Sequence, residues 1–290
     1  MAHRFIIPED LARAATKEGR EGWLAELPVL VARVAASWQI EVDEPFRPGG
    51  ETAWVAPARD HMGKESVLKV CWPHPEAAHE ADGLRSWGGA GAVRLYRADK
   101  LAEATVLLLE RCRPGTQLRS SPPKEHDLVV SSLLRRLWRE PPPDHRFRPL
   151  SDMCDYWAER YESRARSERS CLPSPLAKEG IRLLRELSRG GGTLLLHTDL
   201  HAGNVLAAER EPWLAIDPKP HIGDPTYDVT QHIFNGVFIE GLDAGAVASR
   251  MASLLDLDLD RALLWLFARA VEASPYWPGM ADLARTLAPS

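Results

Sequence analysis

The chain has 290 residues, 44% hydrophobic and 27% charged, which excludes a disordered, collagen-like or coiled-coil protein and allows one large domain or two medium ones. The 36 Lys+Arg against 41 Asp+Glu leave a net charge of −5, which argues against a general binder of nucleic-acid backbone. Its four cysteines, Cys71, Cys112, Cys154 and Cys171, form no C-x-x-C pair, so neither a zinc site nor a disulfide scaffold is expected, and a reducing, cytoplasmic setting is.

At the N-terminus a short apolar patch, Phe5 to Ile7, gives way to acids, unlike a signal peptide. Pro8 followed by Glu9 and Asp10 is a favourable helix start, and helices are expected over 8–38, where Trp23, Leu24, Leu27, Leu30, Val31 and Val34 recur at helical spacing. The period then changes: 47–52 reads as a turn between strands, 66–70 as a short strand, and 76–87 as a helix after Pro73 and Pro75. Strands are expected at 93–96 and 104–110, and this β-rich part ends near Gly115. The longest aliphatic run, Val106 to Leu109, is far below the ~20 residues of a membrane span, so no membrane partner is expected.

Beyond it the pattern predicts helices at 124–139, 150–166 and 176–188, the last stopped by Gly190 to Gly192. Residues 193–217 are short apolar pieces between polar turns, and helices resume at 225–238, 244–255 and 259–273. A β-rich front and a helical rear predict an α+β chain of two lobes, 1–112 and 113–290.

The chemistry concentrates in Leu196-His-Thr-Asp-Leu-His-Ala-Gly-Asn204 and Trp213-Leu-Ala-Ile-Asp-Pro218. Asp199 and Asn204 share a turn, and Asp217 ends an apolar strand, so polar groups sit where a purely structural segment would be apolar. That layout suits phosphoryl transfer: one carboxylate receives the proton of an attacking hydroxyl, while a second carboxylate and an amide oxygen hold Mg²⁺.

These residues resemble the H-x-D-x-x-x-x-N catalytic loop and metal aspartate of the aminoglycoside phosphotransferase branch of the protein-kinase-like fold. The continuation through Gly223-Asp-Pro-Thr-Tyr-Asp228 is similar to the streptomycin 6-kinase and hydroxyurea phosphotransferase family in particular. Thr198 stands where most members have Gly, and Ala202 where Pro is frequent. The resemblance implies a bilobal protein-kinase-like fold, with one helix inserted in a small β-rich N-lobe that binds nucleotide, and a mainly helical C-lobe carrying the catalytic loop and acceptor site. It implies Asp199 as base, His197 as its orienting neighbour, and Asn204 and Asp217 as metal ligands. Lys69 in Val67-Leu-Lys-Val70 would contact the nucleotide phosphates, paired with Glu80 or its rival Glu76. Gly49 and Gly50 would form the phosphate-covering turn, and backbone groups around Glu110 and Cys112 would meet the adenine edge.

The implied substrates are ATP, with GTP left open, with Mg²⁺ and a small hydroxylated acceptor, cationic if it is a streptomycin-type aminoglycoside phosphorylated at its 6-hydroxyl to give antibiotic resistance. Hydroxyurea or a sugar-like metabolite is the alternative acceptor, and an inactive nucleotide-binding regulator the alternative of another class. For a cationic acceptor the candidate acids are Asp155, Glu159, Glu240 and Glu272, with Asp152 and Asp243 behind them. Monomer and dimer both stay open.

Overall fold

The computed structural model describes residues 5–167, 171–277 and 279–289, apart from the side chains of Glu76, Arg166 and Ser167. The chain divides into two compact units, Met1–Gly115 and Thr116–Ser290.

The first unit opens with α1 (Glu9–Lys17) and α2 (Glu21–Trp38). Leu27, Leu30, Val31 and Val34 of α2 are buried, one apolar stripe turned to the unit's core. The strands β1 (Ile40–Val42), β2 (Ala53–Asp60), β3 (Glu65–Cys71), β4 (Leu95–Lys100) and β5 (Thr105–Glu110) form one antiparallel sheet in the order β1-β2-β3-β5-β4. Leu68, Val70, Val106, Trp54 and the α2 stripe belong to one buried cluster, so the core lies between the helices and one face of the sheet. The expected strand at 93–96 is displaced: β4 runs through Arg97, Asp99 and Lys100, charged residues that suit an edge strand and hide its period. The helix expected over 76–87 divides into a 3₁₀ turn, Pro75–Ala77, and α3 (Glu80–Trp87), because His79 leaves the helical region at φ −120.

The second unit is helical around a small sheet. Its helices are α4 (Pro123–Leu137), α5 (Leu150–Ser167), α6 (Ser174–Leu187), α7 (Thr230–Glu240), α8 (Ala244–Leu255), α9 (Leu259–Ala273) and α10 (Met280–Thr286). α9 is buried on nearly every side, Trp265 through Ala273, and forms the centre. α6 packs on it where Gly180 leaves room: a Cβ there would lie 2.5 Å from the Val271 side chain. Strands β6 (Arg148–Pro149), β7 (Leu194–Leu196) and β10 (His221–Gly223) form a three-stranded sheet in the order β6-β10-β7. Strands β8 (Val205–Ala207) and β9 (Trp213–Ala215) make a separate hairpin. The helix expected from 225 begins as a 3₁₀ turn, Pro225–Val229, before α7. Among the described residues no helix is long and apolar enough to cross a membrane.

Candidate active site

In the first unit β3 is the middle strand of the sheet, and its residues from Leu68 to Cys71 are buried, Lys69 among them at 7% exposure. An ammonium there needs a counter-charge. Glu80, the first residue of α3, supplies it with both carboxylate oxygens, 2.8 and 2.7 Å from Lys69 Nζ. The rival Glu76 lies outside the described side chains. Removing the carboxylate takes away a counter-charge held through both oxygens, so Glu80→Ala is expected to cost about 3–5 kcal/mol in a urea unfolding series. The double change Lys69→Met/Glu80→Leu should regain most of that stability; an equal loss in both proteins would contradict the pairing.

Gly49 and Gly50 lie in the connection between β1 and β2. Gly49 has φ +95, and a Cβ on it would sit 2.5 Å from Pro8, so its small size serves the approach of the N-terminal segment. Glu110 closes β5; its N–H donates to the Arg94 carbonyl and its carboxylate accepts from Arg94 N. Cys112 is buried just beyond it.

In the second unit the β8–β9 hairpin sets the register of the polar residues of the motif by its pairing. Val205 faces Ala215 across β8 and β9, and Ile216 N donates to Asn204 O at 2.9 Å. The register therefore carries Asn204 and Asp217, 13 residues apart in sequence, to the same end of one ladder. Asn204 Nδ2 donates to the Asp199 carbonyl at 2.9 Å, which commits the amide nitrogen and leaves the amide oxygen as an acceptor. That oxygen and the Asp217 carboxylate are hard donors of the kind Mg²⁺ takes, with water completing its shell, so the donor set fits the ion.

His197 joins the two segments. Its Nδ1 accepts from Asp199 N at 3.3 Å, and its Nε2 donates to Ile216 O at 3.2 Å. Burial depresses its pKa to about 3, so the ring is neutral and acts as a fixed spacer between base and metal strand. His201 caps the 3₁₀ turn Ala202–Asn204 by accepting from Gly203 N, and burial first, then Arg119, lower its pKa to about 4.

The loop is anchored by a residue that N-capping would have explained equally well. Asp224 does cap, accepting from Thr226 N at 2.9 Å. Asp228 does not: its carboxylate accepts from His197 N at 3.0 Å, Thr198 N at 2.5 Å and Trp138 Nε1 at 3.0 Å. Thr198 has φ 58, the left-handed region that favours glycine and is uncommon for a β-branched residue. Asp228 holds its N–H, and its hydroxyl donates to the Lys219 carbonyl. These bonds maintain a conformation that Gly, frequent here in the resembled family, adopts without strain.

Asp199 is a mostly buried carboxylate with opposing neighbours. Burial raises its pKa, Asp217 adds to the rise, and Lys219 and Gln231 oppose it. Gln231 Nε2, in the first turn of α7, donates to Asp199 Oδ1 at 3.1 Å, while Lys219 Nζ stands 3.3 Å from Oδ2. Neither residue carried a role in the sequence reading. Polar side chains beside the apolar run of α7 and inside Asp217-Pro-Lys219 were the available signal.

The candidate acceptor acids are held elsewhere. Asp155 pairs with Arg189 at 2.6 Å, and exposed Glu159, one turn on, lies in the field of Arg185. Glu240, the last residue of α7, is 2.9 Å from His126 Nδ1. Glu272 is buried against Arg269, which stacks 3.9 Å from the Trp157 ring, and burial raises the Glu272 pKa. Asp243 caps α8, accepting from Ala246 N, and Asp152 is exposed in the first turn of α5. Thus His197, Asp199, Asn204 and the Asp217 segment converge, while the four acids occupy separate arginine and histidine contacts.

A sequence model described as aminoglycoside/hydroxyurea antibiotic resistance kinase matches residues 38–279. The chain belongs to this family. It is 36% identical over 280 residues to a streptomycin 6-kinase of Streptomyces griseus, covering 92% of this chain and 89% of that one. It is also 36% identical over 265 residues to a hydroxyurea phosphotransferase of Kitasatospora aureofaciens, covering 89% and 74%. An amicoumacin kinase solved with AMP-PNP and Ca²⁺ superposes at TM-score 0.54 and 13% identity, covering 90% of this chain and 91% of that one. A choline kinase of Cryptosporidium parvum gives 0.55 at 11% identity, covering 86% and 87%. The fold of this antibiotic resistance kinase is accordingly the bilobal protein-kinase-like one, and the enzyme is a phosphotransferase with a hydroxyl as acceptor.

Proposed function

We propose that the kinase transfers the γ-phosphoryl group of ATP to a hydroxyl of a streptomycin-type aminoglycoside, at the 6-position. The observation that carries the acceptor is the 36% identity to streptomycin 6-kinase across 92% of the chain. Asp199 orients the acceptor hydroxyl and takes its proton; its burial and the proximity of Asp217 favour that role. His197 and Asp228 hold the loop so that Asp199 and Asn204 keep their spacing. Lys69, kept charged by Glu80, is the phosphate contact of the first unit. Asn204 and Asp217 are the metal ligands of the second, where bound Mg²⁺ supplies neutralisation of the phosphate charge. In this reading the first unit serves the nucleotide, with Gly49, Gly50, Glu110 and Cys112 around it, and the second serves metal and acceptor.

Hydroxyurea is the second reading, favoured by an identity as high as that to the streptomycin enzyme. Both are tested by an acceptor panel with ATP and Mg²⁺, read as product mass. A streptomycin product one phosphoryl group heavier, absent when EDTA removes the metal, is the expected outcome. Phosphorylation of hydroxyurea alone replaces the first reading with the second, and turnover of neither sinks both.

A further inference from the structure

The base has a cationic neighbour that the transfer described above does not use. Lys219 Nζ lies 3.3 Å from Asp199 Oδ2. The backbone of Lys219 is pinned to the catalytic loop at both ends: its N–H donates to His197 O at 3.0 Å, and its carbonyl accepts from Thr198 Oγ1 and from His221 Nδ1, the latter at 2.8 Å. The side chain is 33% exposed, so a fixed root carries an ammonium with room to swing. The loop itself, 199–204, contains no Lys or Arg, and among the described residues of the unit the cation ion-paired with Asp199 is Lys219.

A cation held by the base is at odds with proton uptake. An ammonium 3.3 Å from the Asp199 carboxylate opposes the passage of the acceptor's proton to it at the moment of reaction. At the same moment the neighbouring negative charge resides on the oxygens of the phosphoryl group in flight, beside the hydroxyl that Asp199 holds. Lysine suits such a change of partner, being a compact charge with freely rotating donors on a flexible stem.

We propose that Lys219 is a further catalytic residue, whose ammonium moves from the Asp199 carboxylate to a γ-phosphoryl oxygen when the nucleotide binds and neutralises that oxygen through the transfer. This rests on the phosphotransferase reading above. The step balances as follows: the acceptor oxygen bonds to the γ-phosphorus, the bond from phosphorus to the bridging oxygen breaks with its electron pair leaving on ADP, and the acceptor's proton passes to Asp199. Lys219 keeps its protons throughout.

Because the contact is to the γ-phosphoryl group, it reads out in binding as well as in turnover. Lys219→Met and Lys219→Arg would be titrated with Mg²⁺ and either ADP or a non-hydrolysable ATP analogue. In Lys219→Met the analogue is expected to weaken about tenfold relative to ADP. The kcat with the acceptor found in the panel is expected to fall about 10²-fold. Lys219→Arg should recover part of both effects. An unchanged analogue-to-ADP ratio overturns the proposal whatever the turnover, as does a kcat within about twofold of wild type, less than losing one transition-state contact costs. The methionine variant keeps the backbone bonds of residue 219; should it fail to fold, Lys219→Gln carries the same comparison. If the wild-type protein turns over no acceptor, the phosphotransferase reading falls, and the binding ratio still decides the role of Lys219.

Discussion

Asp199→Ala is expected to lower kcat by about 10²–10⁴-fold while nucleotide affinity stays near wild type, because a positioned general base contributes on that scale. The carboxylate is held from several directions: Gln231 on Oδ1, Lys219 on Oδ2, and the backbone fixed by His197 and Asn204. Its removal takes away the proposed proton acceptor without touching Lys69 and Glu80, the ion pair proposed to meet the nucleotide phosphates. It also leaves Asp217 and the Asn204 amide oxygen in place for the metal. The affected quantity is therefore turnover, and KM for ATP should move little. Equilibrium titration with ADP and steady-state kinetics with the acceptor separate the two. Near-wild-type kcat in Asp199→Ala would remove the residue from its assigned role, and a parallel collapse of ADP affinity would make its role structural. Asp199→Asn keeps the shape and, with its oxygen toward Lys219, that contact, while its NH₂ then faces the donor Gln231 Nε2; lacking a proton acceptor, it should fall as far as the alanine variant.

What the sequence shows of this site and what it hides follow from how each residue is held. His197, Asp199, Asn204 and Asp217 are legible because the short apolar strands β7, β8 and β9 bracket them, His197 and Asp199 just after β7 and Asn204 and Asp217 flanking the β8–β9 hairpin. Lys69 is legible for the same reason, a charge inside an apolar strand. Gln231 and Lys219 are not, since each meets Asp199 across 32 and 20 residues, and neither spacing leaves a periodic trace. Nor can spacing say which acid of Gly223-Asp-Pro-Thr-Tyr-Asp228 turns inward. Asp224 caps and binds Arg261 and Trp265, whereas Asp228 reaches the catalytic loop. Among the elements, β10 escaped because it is three residues long and is preceded by Pro220, and β4 because its edge position tolerates charges. Asp155 and Glu159 of α5 lie one turn apart, a spacing that places them on one face. The arginines that pair with them lie on and just after α6, and only the packing of the two helices reveals them.

A large effect on folding is also expected at Asp228. Its carboxylate is 1% exposed and takes three donors, two of them the backbone N–H groups of His197 and Thr198 at the root of the catalytic loop. Burial pushes its pKa up to about 6, and those donors hold it down against that push, so the group remains ionised at neutral pH. Asp228→Ala leaves all three donors buried and unpaired, at an expected cost of about 3–5 kcal/mol. Asp228→Asn is the more informative change. Its amide oxygen can serve His197 N and Trp138 Nε1, which share Oδ2, but its NH₂ then confronts Thr198 N, which needs Oδ1. One orphaned donor predicts a smaller loss, about 1–3 kcal/mol. It falls on the residue already in the left-handed region, so the loop is expected to open locally before the unit unfolds. Hydrogen exchange should then show faster exchange at Thr198 and Asp199 in Asp228→Asn, with kcat reduced and ADP affinity retained. Equal stability losses in the two variants, with unchanged exchange in the loop, would mean that Asp228 serves only the core.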